Sequence, residues 1–351
     1  MIDLIPFLLL AAACWKIKLV SPLGSINDNY NSKETGTMLR GFFAVIIVIG
    51  HISYLVNSGR IFHIFNTTGY QTAAFFFFLS GFGLIKSLDK DSGYLNGFIP
   101  KKIRTLIIPY LILCLIYWAV NFLIKEPPNT LTEVLRSFIS GTPVVDNSWY
   151  LILCLLFYLS FYIFAKLFNK NKILIAASSF VLCICLVFLF KYLGWGTWWY
   201  DSNYGYAAGM LWAIFDKNIA KAAQKLPVYI LMLLAAIVCW FITFRLGLRF
   251  YSLNHQFVRI NAVFLSLIVF LFVMKIKLGS PILKFYGRIS LELYLIHGLI
   301  IRLLRSDYIY ISNDLLWGLS IIAASTAAAY LLHKLFSFLS LSRNREKPSH
   351  S

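Results

Sequence analysis

The chain has 351 residues, 60% of them hydrophobic and only 13% charged, with a mean hydropathy of +0.75. Soluble domains hold roughly 45–50% apolar and about 25% charged residues, so this composition excludes an ordinary water-soluble globule and asks for lipid as solvent. The formal net charge of +18 would point to nucleic acid in a soluble protein. Here Lys and Arg gather at the ends of apolar runs, where they orient helices and meet anionic headgroups, so membrane lipids are the expected partner and nucleic acid is not.

A helix crossing the hydrocarbon needs about 20 mostly apolar residues, and only a helix satisfies its own backbone groups there within one segment. The apolar runs therefore predict an all-α, polytopic helical membrane protein with about 11 (10–11) transmembrane helices. They lie near 2–20, 38–57, 69–87, 105–124, 148–168, 173–193, 204–215, 227–246, 257–275, 285–303 and 314–338. The first has no positive flank and no cleavage site, which reads as a retained span rather than a signal peptide. The seventh holds Gly205 and Gly209, a spacing that predicts close helix packing.

With the N-terminus outside, the inside stretches hold 23 of the 32 Lys and Arg residues. That bias predicts a cytoplasmic C-terminal tail, 339–351, carrying Arg343, Arg345 and Lys347. The expected location is the cell membrane, a bacterial inner or plasma membrane. No soluble domain interrupts the chain, so 1–351 reads as a single integral membrane domain with a core at about 38–338 behind the extra first span. Of the polar connections, 125–147 contains Pro127, Pro128 and an amphipathic stretch, Leu131 to Ile139; it falls outside, where it would cap a site. The six cysteines form no CxxC and lie in apolar runs, reading as small buried hydrophobes with neither a disulfide framework nor a metal site.

Ionisable groups at membrane depth need a reason. His51 follows Arg40 by eleven residues, about 16 Å along a helix, which predicts a histidine near the bilayer middle above an arginine at the cytoplasmic end. Such a ring either takes a proton from a hydroxyl or holds two helices together. His297 lies in a second span, with Tyr294 one turn below on the same face and Glu292 nearby; these read as a polar network or as substrate-orienting groups. Ser80 follows a run of phenylalanines and has no base near it in sequence. The run Lys101, Lys102, Arg104 either obeys the positive-inside rule or holds phosphates. No Walker loop and no dinucleotide fingerprint is present.

Five segments in this order resemble the acyltransferase 3 family of membrane-embedded O-acyltransferases: Arg40 and His51 with ten residues between them, Phe77 to Phe82, the basic run Lys101 to Pro109, Ser148-Trp149-Tyr150-Leu151, and Ser290 to His297. The likeness covers about Met38 to His333. The chain departs from the family pattern in having lysines where arginines are common, Tyr150 for a phenylalanine, and a span before the first motif. It has no fused extracellular hydrolase-like domain, so no second soluble step is expected.

The resemblance implies an acyl-CoA co-substrate in the cytoplasm, acetyl-CoA being commonest and succinyl also represented, and a hydroxyl acceptor, such as a cell-envelope polysaccharide, at or beyond the outer face. It implies His51 as the catalytic residue. Arg40, Lys101, Lys102 and Arg104 would bind CoA phosphates, while Ser80, Trp149, Tyr294, His297 and Glu292 would support or orient. No metal is expected. The alternative reading is a transporter or lipid-linked sugar flippase, which would show paired repeats or broken helices. Whether the acyl group passes directly or through an acyl-histidine stays open at this level, as do the acceptor and the oligomeric state.

Overall fold

The computed structural model describes residues 2–20, 25–250 and 255–339; the basic cluster Arg343, Arg345 and Lys347 lies outside these. Fourteen α-helices run along the described chain, joined by short loops and one antiparallel two-stranded ladder. Among the described residues, eight helical stretches are long and apolar enough to cross a membrane: α2 (Lys33–Ser53), α3 (Gly69–Lys90), the continuous run Phe98–Ile124, α7 (Trp149–Leu167), α8 (Lys172–Tyr192), α10 (Leu226–Arg249), α11 (Gln256–Val273) and α14 (Asp314–Phe338). The run Phe98–Ile124 consists of α4 (Phe98–Lys102), a π-helical segment (Ile103–Ile107) and α5 (Ile108–Ile124).

The eleven expected spans thus reduce to eight of full length and apolarity, and the other three take different forms. The first, α1 (Leu4–Cys14), has only 11 helical residues. Its start is tied to one end of the bundle, where Asp3 accepts the Phe62 backbone N–H at 2.7 Å. The chain after it turns at Trp15 and Lys16, where Lys16 has φ +59°, and enters β1 (Lys18–Leu19), which pairs with β2 (Ile276–Lys277) at the opposite end. The seventh, α9 (Tyr204–Ala223), runs past the expected 215 and carries Asp216, Lys217 and Lys221 in its second half. The tenth is broken at Ile289 into α12 (Pro281–Arg288) and α13 (Ser290–Leu303).

Polar contacts sort the helix ends into two faces. At the basic end, Lys86 pairs with Asp216 at 2.6 Å, Lys172 with Asp89 at 2.7 Å, and Lys284 with Glu34 at 2.7 Å. Lys275 donates to Ser25 O and Ala223 O there. At the far end, His255 meets Asp201 at 3.1 Å, Arg302 meets Asp146 at 3.1 Å, and Arg305 pairs with Asp314 at 2.7 Å. The basic stretches that a positive-inside count assigns to one side do meet one another.

Side-chain caps begin several helices. Ser32 accepts the Thr35 N–H before α2, and Asn171 and Asn313 cap α8 and α14. Each satisfies an otherwise orphaned N–H. Helices α2 and α3 are mostly enclosed, whereas α5, α8 and α10 turn apolar side chains such as Leu115, Phe188 and Leu231 outward, where only lipid leaves them satisfied.

Two glycine contacts fix the centre. A Cβ on Gly205 or Gly209 would lie 2.2 and 2.0 Å from the carbonyl oxygens of Ala74 and Phe78, so α9 presses backbone to backbone on α3, as the Gly205/Gly209 spacing predicts. Gly41 and Gly287 do the same between α2 and α12, where a Cβ would meet Leu283 O at 2.0 Å or Thr37 O at 1.9 Å. The second contact seats α2 against the α12–α13 corner and so brings Arg40 beside the start of α13 and His51 beside its middle.

Candidate active site

His51 occupies the last turn of α2, two residues before its end at Ser53. The helix begins at Lys33, five residues before the expected start, which shifts the ring from the middle of its span toward the far end. There it lines a cavity of about 1110 Å³. Loop residues on either side of α6 (Leu131–Ile139), including Pro127, Pro143 and Asn147, form one wall of this cavity; Thr197 to Ser202 and the start of α11 form another. The 125–147 connection therefore covers the site as its position in the sequence suggests. Glu133 and Arg136 of α6 face the cavity, while Leu131, Leu135 and Ile139 stay exposed on the other side.

The His51 ring packs against the His297 ring with centroids 5.1 Å apart. His297 is fully buried and lies in mid-α13. Its Nδ1–H donates to Leu293 O at 3.1 Å, which leaves Nε2 as the acceptor nitrogen, 3.5 Å from Asn147 Nδ2. Tyr294, whose ring centre is 6.0 Å from that of His297, donates its hydroxyl to Asn147 O at 2.8 Å. No hydrogen bond holds His51 among the described residues, so both of its ring nitrogens remain for a substrate, and its orientation comes from packing on His297.

A second, much smaller cavity of about 50 Å³ lies toward the basic end. Arg40, Phe76, Ser80, Tyr150, Leu151 and Tyr158 are among its walls, and Tyr294 lines this cavity as well as the large one. Tyr294 is thus the partition between them. Ser80 accepts a hydrogen bond from the Tyr158 hydroxyl at 3.3 Å. Arg40 reaches Thr37 Oγ1 at 2.9 Å through Nη2. Lys102 sits over the Tyr158 ring, 3.6 Å from its centroid, and so stands beside this cavity. Lys101 and Arg104 are exposed near the start of the Phe98–Ile124 run and line neither cavity. The π-helical segment Ile103–Ile107 directly follows Lys102 and brings Leu106 into the cavity wall; such π turns frequently mark functional sites.

Of the remaining candidates, Trp149 lines the large cavity. Glu292 touches neither cavity; its carboxylate meets His333 Nδ1 at 2.9 Å and ties α13 to α14. No cluster of three or more metal-ligating side chains occurs among the described residues.

Several site groups escaped the sequence reading. Asp146 lies against Gly298 and pairs with Arg302, and both charged groups line the large cavity. Burial pushes the Asp146 carboxyl above the usual carboxylate range, with Arg302 opposing that shift. Asn147, which meets both His297 and Tyr294, adjoins it. The available signal was a polar pair directly ahead of Ser148-Trp149. Tyr117 of α5 was also missed: its hydroxyl donates to Leu295 O at 2.8 Å and accepts from Leu299 N–H at 3.0 Å, straddling the α13 turn that carries His297. Nothing in a single sequence distinguishes that tyrosine from an interfacial one.

Residues 37–334 match the family model described as an acyltransferase domain, that of the acyltransferase 3 family. Neither a curated protein nor a solved structure matches the chain. The match spans most of the sequence and includes both histidines, Arg40, both cavities' principal walls and six of the eight long apolar helices in full, with α2 and α14 each extending a few residues beyond it. With those helices, it makes this chain a multi-pass membrane acyltransferase of the acyltransferase 3 family.

Proposed function

We propose that the protein moves an acetyl group from acetyl-CoA, bound at the basic, cytoplasmic end, to a hydroxyl of a cell-envelope glycan entering the large cavity from the outer face. What carries this reading is that one side chain, Tyr294, walls two cavities on opposite sides, with His51 on the large one and Arg40 on the small one. Donor and acceptor then approach the same point from opposite ends, and CoA itself never crosses.

Arg40 and Lys102 flank the small cavity and supply the cations for CoA phosphates, with Lys101 and Arg104 at the exposed rim. The acyl group passes the Tyr294 partition to reach His51. There the imidazole takes the proton of the acceptor hydroxyl as its oxygen attacks the thioester carbonyl carbon. The C–S bond breaks, and the imidazolium returns its proton to the departing CoA thiolate. General-base assistance of this kind contributes typically 10²–10⁴-fold. Acetyl is favoured over succinyl because a cavity of about 50 Å³ holds only about four water-sized groups, at roughly 10–15 Å³ each.

The family assignment argues against the transporter or flippase alternative. Membranes containing the protein, given radiolabelled acetyl-CoA, are expected to carry label into polysaccharide. His51→Ala should abolish that label while the protein still folds and inserts; normal labelling by this variant would remove the mechanism. Arg40→Ala should raise the KM for acetyl-CoA.

A further inference from the structure

The segment Gly194 to Tyr200 packs three tryptophans beside the mouth of the large cavity, and two of them are occupied. Trp195 stacks on Phe190 with centroids 5.1 Å apart and directs its indole N–H to Ile139 O at 3.3 Å. Trp199 is buried and donates its indole N–H to Gly141 O at 2.8 Å. Gly141 has φ +75°, and a Cβ there would lie 2.6–2.9 Å from the Trp195 ring, so these two rings clamp the end of α6.

Trp198 is different. Its side chain is 49% exposed, it lines the cavity, and among the described residues it makes no ring pair and no hydrogen bond. One face is covered: a Cβ on Gly196 would lie 2.2–2.3 Å from three carbons of its six-membered ring at once. Only a point over the ring face is that close to all three. The glycine backbone therefore backs the indole as a rigid plate, with the opposite face uncovered.

We propose that Trp198 is the stacking platform for a pyranose ring of the acceptor glycan, an acceptor subsite distinct from His51. This rests on the acyl-transfer reading for its purpose but on separate observations for its geometry. The C–H groups on one face of a pyranose carry slight positive charge and suit the negative face of an indole. Sugar hydroxyls need polar groups around that plate, and Thr197, Asp201, Arg136 and Thr142 line the same cavity. At about 1110 Å³ the space exceeds the roughly 300–1,000 Å³ of drug-sized pockets, which favours an acceptor of more than one sugar unit. Trp198 holds one unit at the mouth while another presents its hydroxyl to His51.

The test uses the full chain in lipid nanodiscs. The probe is oligosaccharide prepared by fragmenting de-O-acetylated envelope polysaccharide of the host cell, and the readouts are titration calorimetry and transfer from acetyl-CoA. Trp198→Ala should raise the oligosaccharide Kd about tenfold, the loss of an aromatic contact of ordinary strength. It should leave the KM for acetyl-CoA unchanged, and Trp198→Phe should recover most of the binding. Equal binding by wild type and Trp198→Ala, or no binding by wild type, overturns the platform. A Trp198→Ala defect in membrane insertion or thermal stability with unchanged Kd identifies the residue as an interfacial anchor and overturns it too. Wild-type binding that depends on Trp198 without any transfer keeps the platform and defeats the acyl-transfer reading instead.

Discussion

Widening the small cavity should change which acyl group the enzyme accepts. Leu151 and Phe76 form part of its wall, are buried, and sit beside Tyr150 and Tyr294. At roughly 10–15 Å³ per water-sized group, about 50 Å³ admits an acetyl group with little to spare and leaves no room for a butyryl chain. One methylene too many in an apolar pocket is typically worth roughly 1–3 kcal/mol, or 10–200-fold in kcat/KM, so the wild-type enzyme should prefer acetyl-CoA to butyryl-CoA by at least about tenfold. Leu151→Ala removes most of a side chain from that wall. It should cut the preference by tenfold or more, chiefly through a gain in butyryl kcat/KM, because each newly buried methylene contributes about 0.8 kcal/mol. The same change carries a stability cost of about 2–5 kcal/mol, so the milder Leu151→Val and Phe76→Leu should be measured beside it. The assay is competition between the two thioesters at equal concentration, with mass spectrometry of the acylated product. An unchanged acetyl-to-butyryl ratio in all three folded variants would refute the assignment of this cavity to the acyl chain.

Gly209→Leu should prevent the α3–α9 approach, since even a Cβ meets Phe78 O at 2.0 Å; loss of the monodisperse peak in detergent chromatography checks this, and a stable, fully active variant would contradict it. Glu292→Gln should lower thermal stability by weakening the contact with His333 while leaving kcat unchanged, because Glu292 lines neither cavity; a selective loss of kcat with unaltered melting would assign it to the chemistry. The carboxyl of Glu133 is held below its usual range first by the Asn129 N–H and then by the Thr130 hydroxyl and N–H. A lowered folded pKa means its support of α6 is complete above the ordinary carboxylate range and is lost as pH falls through the lower folded value. Hydrogen exchange in α6 should therefore accelerate only in that acidic window, and Glu133→Gln should remove the pH dependence.

The architecture was legible because lipid imposes simple arithmetic. Continuous apolar runs such as Leu226–Arg249 and Lys172–Tyr192 have no stable alternative to a spanning helix, and the placement of Lys and Arg sorts their ends. The arithmetic failed where protein replaces lipid as the neighbour. Helix α9 tolerates Asp216 because Lys86 and the Tyr30 hydroxyl meet that carboxylate, and α12–α13 breaks at Ile289 beside a glycine contact with α2. Neither partner is visible from the segment itself.

The candidate site divides in the same way. Composition and the order of short motifs were enough to single out Arg40, His51, Tyr294 and His297, because ionisable or hydroxyl-bearing residues are costly in an apolar span and stand out there. Only the tertiary structure could decide that His51 faces open space while His297 is buried behind it, that Glu292 belongs to another contact, and that Asp146, Asn147, Trp198 and Arg302 join the cavity from distant segments. Solvation cost acts on each residue wherever it falls in the chain, so sequence records it. Which side chain faces a cavity depends on helix rotation and on loops folding over, and those are settled by packing between segments far apart in the chain, such as Asn147 and His297, 150 residues apart.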